Sequence, residues 1–395
     1  MTTNPKRHAT VEPRLVGALG LRRPPGGRIF ARRGRFLEVH ITIGELGEFG
    51  LIARMSAGLL PNSYVLLGVG DDAAVLSTPD RRVVATTDLL VEGQHFRRDW
   101  SGPHDIGHKA GARSLADVAA MGAVATGLLV AFAAPPQLPV SWADEFAAGL
   151  AAECARGGAA VVGGDVAAAE KIMIAVTALG DLEGRSPVCR SGARRGDVVA
   201  VAGALGHSAA GLALLDHGLT GPEELLAAHR RPQPSYDAGP EAARCGATAM
   251  IDVSDGLLAD LGHVAEASGV VIDLTSALLP DSRPLSVAAE LVITAAAGRP
   301  WPRSVSRAER QGRARAGVCA VDWMLTGGED HAFAAAFPPD VNLPARWTVI
   351  GHVGAQDVGA RDVGAQGRTQ GMDTSPGVLV DGQRYQHRAG WEHFR

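Results

Sequence analysis

Four times along the chain, a short apolar run stops on aspartate. Tyr64-Val65-Leu66-Leu67 leads into Gly68-Val69-Gly70-Asp71-Asp72-Ala73-Ala74-Val75-Leu76, and other runs reach Thr86-Thr87-Asp88, Gly163-Gly164-Asp165 and Asp252-Val253-Ser254-Asp255-Gly256. Apolar runs this short, closed by glycine or polar turns, read as buried strands. Adjacent carboxylates on a turn repel one another and contribute nothing to packing, and hard divalent cations with oxygen ligands offset that repulsion. Taken singly, any one of these stretches reads equally well as a solvated Asp turn. Their repetition favours a fold whose strand ends meet at one acidic, cation-filled cleft.

Between the runs lie alanine-rich helical segments. Helices are expected over 108–121, 142–156, 207–217, 223–230 and 237–245, with strands at 83–88, 128–132, 160–162, 172–176 and 196–203. A further helix starts at Ser254, with Ser254 or Asp255 as its cap and Leu257, Leu258, Leu261 and Val264 as its buried stripe. This alternation places the chain in the α/β (α+β) class, and 395 residues suit two domains. Gly180-Asp181-Leu182-Glu183-Gly184 divides an N-terminal domain, 44–183, from a C-terminal domain, 184–395. Residues 1–43, arginine-rich and without sustained period, read as a disordered or misannotated leader. Residues 299–317 carry six arginines and read as an inserted surface loop, while 353–366 hold a short duplication in a tolerant loop.

A net charge of -4 offers no electrostatic case for a nucleic-acid partner. No apolar run reaches the roughly 20 residues that span a bilayer, and the first residues lack the order of a signal peptide. The four cysteines have no metal-ligand spacing and read as buried or incidental thiols. A cytoplasmic protein is expected. Phosphoryl transfer from ATP is chemistry that such a cleft supports, since it needs positioning and charge neutralisation more than covalent catalysis. The chain has no P-loop signature, and Lys6, Lys109 and Lys171 are its only lysines. An ATP-using enzyme of this composition relies on carboxylate-held Mg²⁺, glycine-turn amides and arginine.

The ordered set of motifs closely resembles the thiamine-monophosphate kinase family. It comprises Gly68 to Leu76, Thr86-Thr87-Asp88-Leu89-Leu90-Val91-Glu92-Gly93-Gln94-His95-Phe96, His108-Lys109-Ala110, Leu115 to Ala123, Gly163-Gly164-Asp165, Arg190-Ser191-Gly192-Ala193, Asp252 to Leu257, Gly327-Gly328-Glu329-Asp330 and Gly390-Trp391-Glu392-His393-Phe394. The resemblance spans roughly residues 44–395 and implies the two-domain fold shared with aminoimidazole-ribonucleotide synthetase and selenophosphate synthetase. In that fold the N-terminal domain forms a dimer-interface sheet or barrel and the C-terminal domain is α/β. The implied reaction is ATP- and Mg²⁺-dependent conversion of thiamine monophosphate to thiamine diphosphate by a homodimer, with no nucleic-acid or membrane partner. The alternative is a superfamily relative acting on a different phosphate or acid.

By position, the resemblance implies Asp72, Thr86, Thr87, Asp88, Asp117, Asp165, Asp252 and Asp255 as ligands of several Mg²⁺ ions. Gly164, Asp165, Arg190 and Ser254 are implied as ATP contacts, and His95, Glu329 and Trp391 as thiamine-phosphate contacts. No general base is expected, because a substrate phosphate oxygen is already anionic. Other roles stay open: a surface ion pair with Arg113 for Asp117, a helix cap for Asp255, a structural histidine for His95, a C-terminal anchor for Trp391. Three departures stand out: Arg113-Ser114-Leu115-Ala116 where Asn-Leu-Ser is favoured, Val166 where threonine is usual, and His331-Ala332-Phe333 in place of Tyr-Glu-Leu. Ala116 and Val166 lack hydroxyls that could support a metal's ligands.

Overall fold

The computed structural model describes residues 41–69, 73–280, 282–298, 320–354, 375–385 and Gly390. Most of the expected leader, the 299–317 insertion and most of the duplication therefore lie outside the described residues, as do Asp71, Asp72 and Trp391. Ile41 to Ile43, assigned to the leader from sequence, are tied down. Val140 N–H donates to Ile41 O, and Ile43 N–H donates to Leu138 O at 2.9 Å.

In chain order the first half contains α1 (Ile43–Leu46), α2 (Glu48–Ser56), β1 (Val65–Leu67), β2 (Val75–Leu76), β3 (Val84–Val91), α3 (Pro103–Ala120), β4 (Val124–Ala134), α4 (Val140–Gly157), β5 (Ala160–Ala168) and β6 (Met173–Asp181). Strands β3, β6, β4 and β5 form one sheet in that order, antiparallel except for the parallel pair β4–β5. Thr86, Asp88 and Leu90 are more buried than Ala85, Thr87 and Leu89, the alternation a half-covered strand requires. One face is thus covered by helix; the other leaves Leu89, Leu129 and Met173 exposed.

The second half contains β7 (Val198–Ala202), α5 (His207–Asp216), α6 (Glu223–Arg230), α7 (Ala238–Arg244), β8 (Ala249–Val253), α8 (Leu257–Ser268), β9 (Val271–Leu274), α9 (Arg283–Gly298), α10 (Ala320–Thr326), β10 (Ala332–Phe337), β11 (Thr348–Gly354), β12 (Gly377–Val380) and β13 (Gln383–Arg384). Its sheet runs β13-β12-β9-β11-β7-β10-β8. Val199 and Val201 of β7 face a core with α5, α8, α9 and α10, while Ala200 and Ala202 face the opposite way with Met250, Phe333 and Phe337. The expected spans hold to within a few residues, except that β4, β5 and β6 are longer and α3 starts earlier. Among the described residues, no helix is long and apolar enough to cross a membrane.

Helix α3 joins the two halves. Leu115 and Val118 pack into the core under the first sheet, whereas Ala116, Ala119 and Ala120 pack with Phe333 and Phe337 beneath the second. A helix buried on opposite sides needs small residues for close approach. A Cβ on Gly107 would stand 2.2 Å from Phe146 O of α4, and one on Gly149 would stand 2.0 Å from His104 O. Gly149→Ala should therefore overpack the α3–α4 crossing and lower stability by about 1–3 kcal/mol, read as a lower urea midpoint.

Candidate active site

The acidic groups converge because α3 runs beneath the ends of both sheets. Thr86 and Asp88 project from β3 toward α3: Thr86 Oγ1 donates to Asp117 Oδ2 at 2.6 Å, and Ser114 Oγ donates to Asp88 Oδ2 at 2.9 Å. Lys109, Arg113 and Asp117 recur every four residues and so share one face of α3. Arg113 donates to Asp88 Oδ1 at 3.4 Å and to Glu329 Oε1, and Lys109 Nζ lies 2.9 Å from Glu329 Oε2. The surface ion pair considered for Asp117 is not what forms. Arg113 is 8% exposed, and its ion pairs are with Asp88 and Glu329.

Asp252 is the penultimate residue of β8, and His331 sits immediately before β10, the neighbouring strand. His331 N–H donates to Val253 O at 2.9 Å, and Glu329 N–H donates to Ser254 O at 2.8 Å, so the loop before β10 continues the ladder with residues after β8. The side-chain contact is direct: His331 Nδ1 lies 3.0 Å from Asp252 Oδ2. Glu329 and His331 both hold left-handed backbone, with φ of 66° and 54°. A Cβ at Gly328 would stand 2.4 Å from Ser254 O, so only glycine lets this loop approach so closely.

The capping expectation is corrected. Helix α8 begins at Leu257 behind Gly256, whose φ of 126° favours glycine, and neither Ser254 nor Asp255 caps it. Asp260, from the helix's own first turn, reaches back to accept N–H bonds from Ser254, Asp255 and Gly256, each at 3.0 Å. A carboxylate at a helix start satisfies orphan donors and meets the positive end of the dipole. Asp330 does the same at α5, accepting from Gly206 N–H at 2.5 Å and Ser208 N–H at 2.7 Å. The expected stripe of Leu257, Leu258, Leu261 and Val264 is buried.

The electrostatics follow from burial and crowding. Burial, then the Asp252 and Asp88 charges, pushes the Asp117 carboxyl up to about 7, against the Thr86 hydrogen bond and the charge of His331, which act to lower it. Burial would also raise Glu329, but Lys109 and Arg113 outweigh it and hold that carboxyl far below the usual carboxylate range. Burial opposes charge on Arg113 too, yet Glu329 and Asp88 keep its guanidinium above its ordinary value.

The other expected residues are held by contacts of their own. Thr87 and Asp165 stand on the opposite face of the first sheet; Thr87 Oγ1 accepts from Thr177 Oγ1 at 3.1 Å, and Asp165, exposed, accepts from Val166 N–H at 2.9 Å. Gly164 permits the tight β4–β5 pairing, since a Cβ there would lie 2.0 Å from Val130 O. His95 Nδ1 accepts from Val91 N–H at 3.0 Å, and Arg190 is exposed, its carbonyl accepting from Ser268 Oγ. Among the described residues, no three His, Cys, Asp or Glu side chains are placed close enough to enclose an ion. Sequence reasoning passed over Lys109, Ser114, Asp260 and Asp330, gave Arg113 only a surface role and treated His331 only as a departure. For Lys109 and Arg113, the four-residue spacing to Asp117 was the available signal.

The sequence model for the AIR synthase related protein N-terminal domain matches residues 70–182, and the corresponding C-terminal domain model matches 194–320. The thiamine-monophosphate kinase of Mycobacterium tuberculosis (strain CDC 1551 / Oshkosh) is 45% identical over 89% of this chain and 93% of its own length. The chain belongs to the thiamine-monophosphate kinase family. The crystal structure of the Aquifex aeolicus thiamine monophosphate kinase is 31% identical and superposes with a TM-score of 0.63, covering 87% of this chain and 99% of that one. AaThiL complexed with AMPPCP and TMP is 32% identical with a TM-score of 0.65, covering 89% and 98%. Within the kinase family fold, the cluster around α3 joins elements from both matched domains.

Two outcomes test the electrostatics. Glu329→Gln leaves two buried cations facing one neutral amide, so stability should fall by about 3–5 kcal/mol in denaturant unfolding. For Asp117, the native carboxyl keeps its proton up to about 7 while the unfolded one, near 3.8, has released it. Native stability is therefore lost as pH rises through that window. In EDTA, Asp117→Asn should match the wild type near pH 4 and exceed it by about 1–3 kcal/mol at pH 8.

Proposed function

We propose that the chain transfers the terminal phosphoryl group of ATP to thiamine monophosphate, giving thiamine diphosphate and ADP. The observation that carries this reading, in a member of this kinase family, is the convergence of Asp88, Asp117 and Asp252, in which the Asp252 and Asp88 charges crowd the Asp117 carboxyl. The donors are carboxylate and hydroxyl oxygens, which suit a hard cation. Asp88, Asp117 and Asp252, with Thr86, would hold Mg²⁺ once drawn closer together than the described residues place them; Asp72, Thr87, Asp165 and Asp255 are assigned by the family resemblance, Thr87 and Asp165 from the outer face of the sheet. When bound, Mg²⁺ neutralises charge on the transferring phosphate.

The chain's residues otherwise position and shield. Arg113 and Ser114 fix the two oxygens of Asp88, and Thr86 fixes one oxygen of Asp117. The Ser114 hydroxyl supports Asp88 from the helix, three residues before the ligand position Asp117, so the hydroxyl missing at Ala116 is not the sole one available to the cluster. Lys109 and Arg113 hold Glu329 ionised, which suits it to the cationic face of thiamine. We assign His95 and Trp391 to the same substrate, and Gly164, Arg190 and Ser254 to ATP; a guanidinium such as that of Arg190 can fork two phosphate oxygens. An anionic phosphate oxygen attacks in line without a general base.

Thr87 and Asp165 share the exposed sheet face with Leu89, Leu129 and Met173. We place a second copy of the chain against that face, in a cytoplasmic homodimer, which would bring the outward pair next to protein rather than water. The domain division at 183/184 falls in the crossing from β6 to β7.

The test is incubation of the full chain with ATP, Mg²⁺ and thiamine monophosphate, with free thiamine as a parallel acceptor. Thiamine diphosphate should form from the monophosphate alone and vanish with EDTA. Asp88→Asn should cut turnover by about 100-fold or more while the fold is retained. A folded protein that binds nucleotide yet leaves thiamine monophosphate unchanged would point instead to another acceptor.

A further inference from the structure

The imidazole of His331 is bound on one side and bare on the other. Its Nδ1 meets Asp252 Oδ2 at 3.0 Å, and since an ionised carboxylate only accepts, Nδ1 carries the proton and donates. Its Nε2 is buried with no hydrogen-bond partner. Both side chains are almost wholly enclosed, His331 at 2% exposure and Asp252 at 5%. Buried polar nitrogens are ordinarily satisfied, and an orphan is destabilising. The ring is also held on left-handed backbone, at φ 54°, where a histidine is strained. A residue that served only to fill this space could be apolar and avoid the orphan nitrogen. What the histidine provides is the Nδ1–H.

The position of that donor is fixed by the sheet. Val253 and Ala332 are register partners on β8 and β10, and His331 N–H bonds Val253 O. The carboxylate therefore hangs from within the ladder, opposite Phe333, and the imidazole from the residue just before β10, so the backbone pairing sets the two side chains on adjacent strands within reach of each other. Asp252 in turn is one of the two charges that raise Asp117, so its orientation bears on the whole acidic cluster.

We propose that His331 is a positioning residue for the cation site: its Nδ1–H holds Oδ2 of Asp252 and so orients a carboxylate that would serve a cation. The inference rests on the metal reading of Asp252 given above. Anchoring one carboxylate oxygen of a ligand removes its rotational freedom before the cation arrives, and loss of such an outer partner costs about 10–100-fold in metal affinity.

The full chain is titrated with Mn²⁺ alone, free ion being followed by electron paramagnetic resonance, in the wild type, His331→Leu, His331→Asn and Asp252→Asn. Asparagine tolerates left-handed backbone and carries an amide N–H at the place of Nδ1, so it keeps the donor without the ring. His331→Leu should bind Mn²⁺ about 10–100-fold more weakly than the wild type. His331→Asn should retain wild-type affinity, and Asp252→Asn should lose at least as much as the leucine variant. Wild-type affinity in His331→Leu would overturn the proposal, and so would equal losses in the leucine and asparagine variants. A wild type that takes up no Mn²⁺ would overturn the metal reading itself, and this inference with it. If His331→Leu does not fold, nitrogen-labelled histidine spectra of the wild type decide. The Nδ1–H signal missing from His331→Asn should shift on adding Mg²⁺, and a signal that stays in place refutes the role.

Discussion

The carboxylate of Glu329, gripped between Lys109 and Arg113, is the contact on which the site's geometry depends. Both cations stand on α3, and Glu329 belongs to the loop before β10 in the other half of the chain. Taking one ion out of water costs several kcal/mol even after relaxation, so three buried charges persist only if each answers another. Arg113 also reaches Asp88, which extends the chain of pairs to β3. The network is therefore a weak source of stability and a strong constraint on register. Sliding α3 against either sheet would strand a charge. The alanine face of α3 sets how near the helix lies to the second sheet, and the ion pairs set where along its length it stops.

Around that fixed register the carboxylates divide into two kinds. Asp260 and Asp330 are spent on backbone amides at the starts of α8 and α5, where they replace the Ser, Thr or Asn caps that sequence rules anticipate. Asp88, Asp117 and Asp252 are each held through one or two oxygens by a hydroxyl, a guanidinium or an imidazole, and they repel one another. The first kind builds the loops that carry the second. A single loop shows both, because Glu329, Asp330 and His331 are consecutive and point to Lys109 and Arg113, to the α5 amides and to Asp252 in turn. Left-handed backbone at Glu329 and His331 is what lets three successive side chains serve three directions.

Much of this was legible before any coordinates. Apolar periodicity located β7, α6 and the stripe of α8 closely, because burial on one face leaves a direct trace in sequence. Of the acidic strand ends, Asp88 and Asp252 meet around Asp117 while Asp165 stands on the outer sheet face, and the motif order carried the family. Strand alternation was legible as well: consecutive residues of a strand face opposite ways, and the structure sends the side chain of Thr86 to Asp117 and that of Thr87 to Thr177. The Arg113–Glu329 pair had no such trace. Its members lie 216 positions apart, and only the packing of α3 against the second half brings them together.

Composition hid one further point. In a chain whose positive charge is almost all arginine, Lys109 looked incidental, and it is instead among the largest fully buried side chains. A guanidinium is a planar fork with five donors, and Arg113 already leaves its Nε unpartnered where it lies. At position 109 the ammonium has Glu329 at 2.9 Å and His229 O of α6 at 3.3 Å. A compact charge on an unbranched stem is answered by those two oxygens; a fork in the same place would bury further donors without acceptors. The lysine is thus set by the number of acceptors that α6 and the loop before β10 offer to α3, a quantity that exists only once all three are packed.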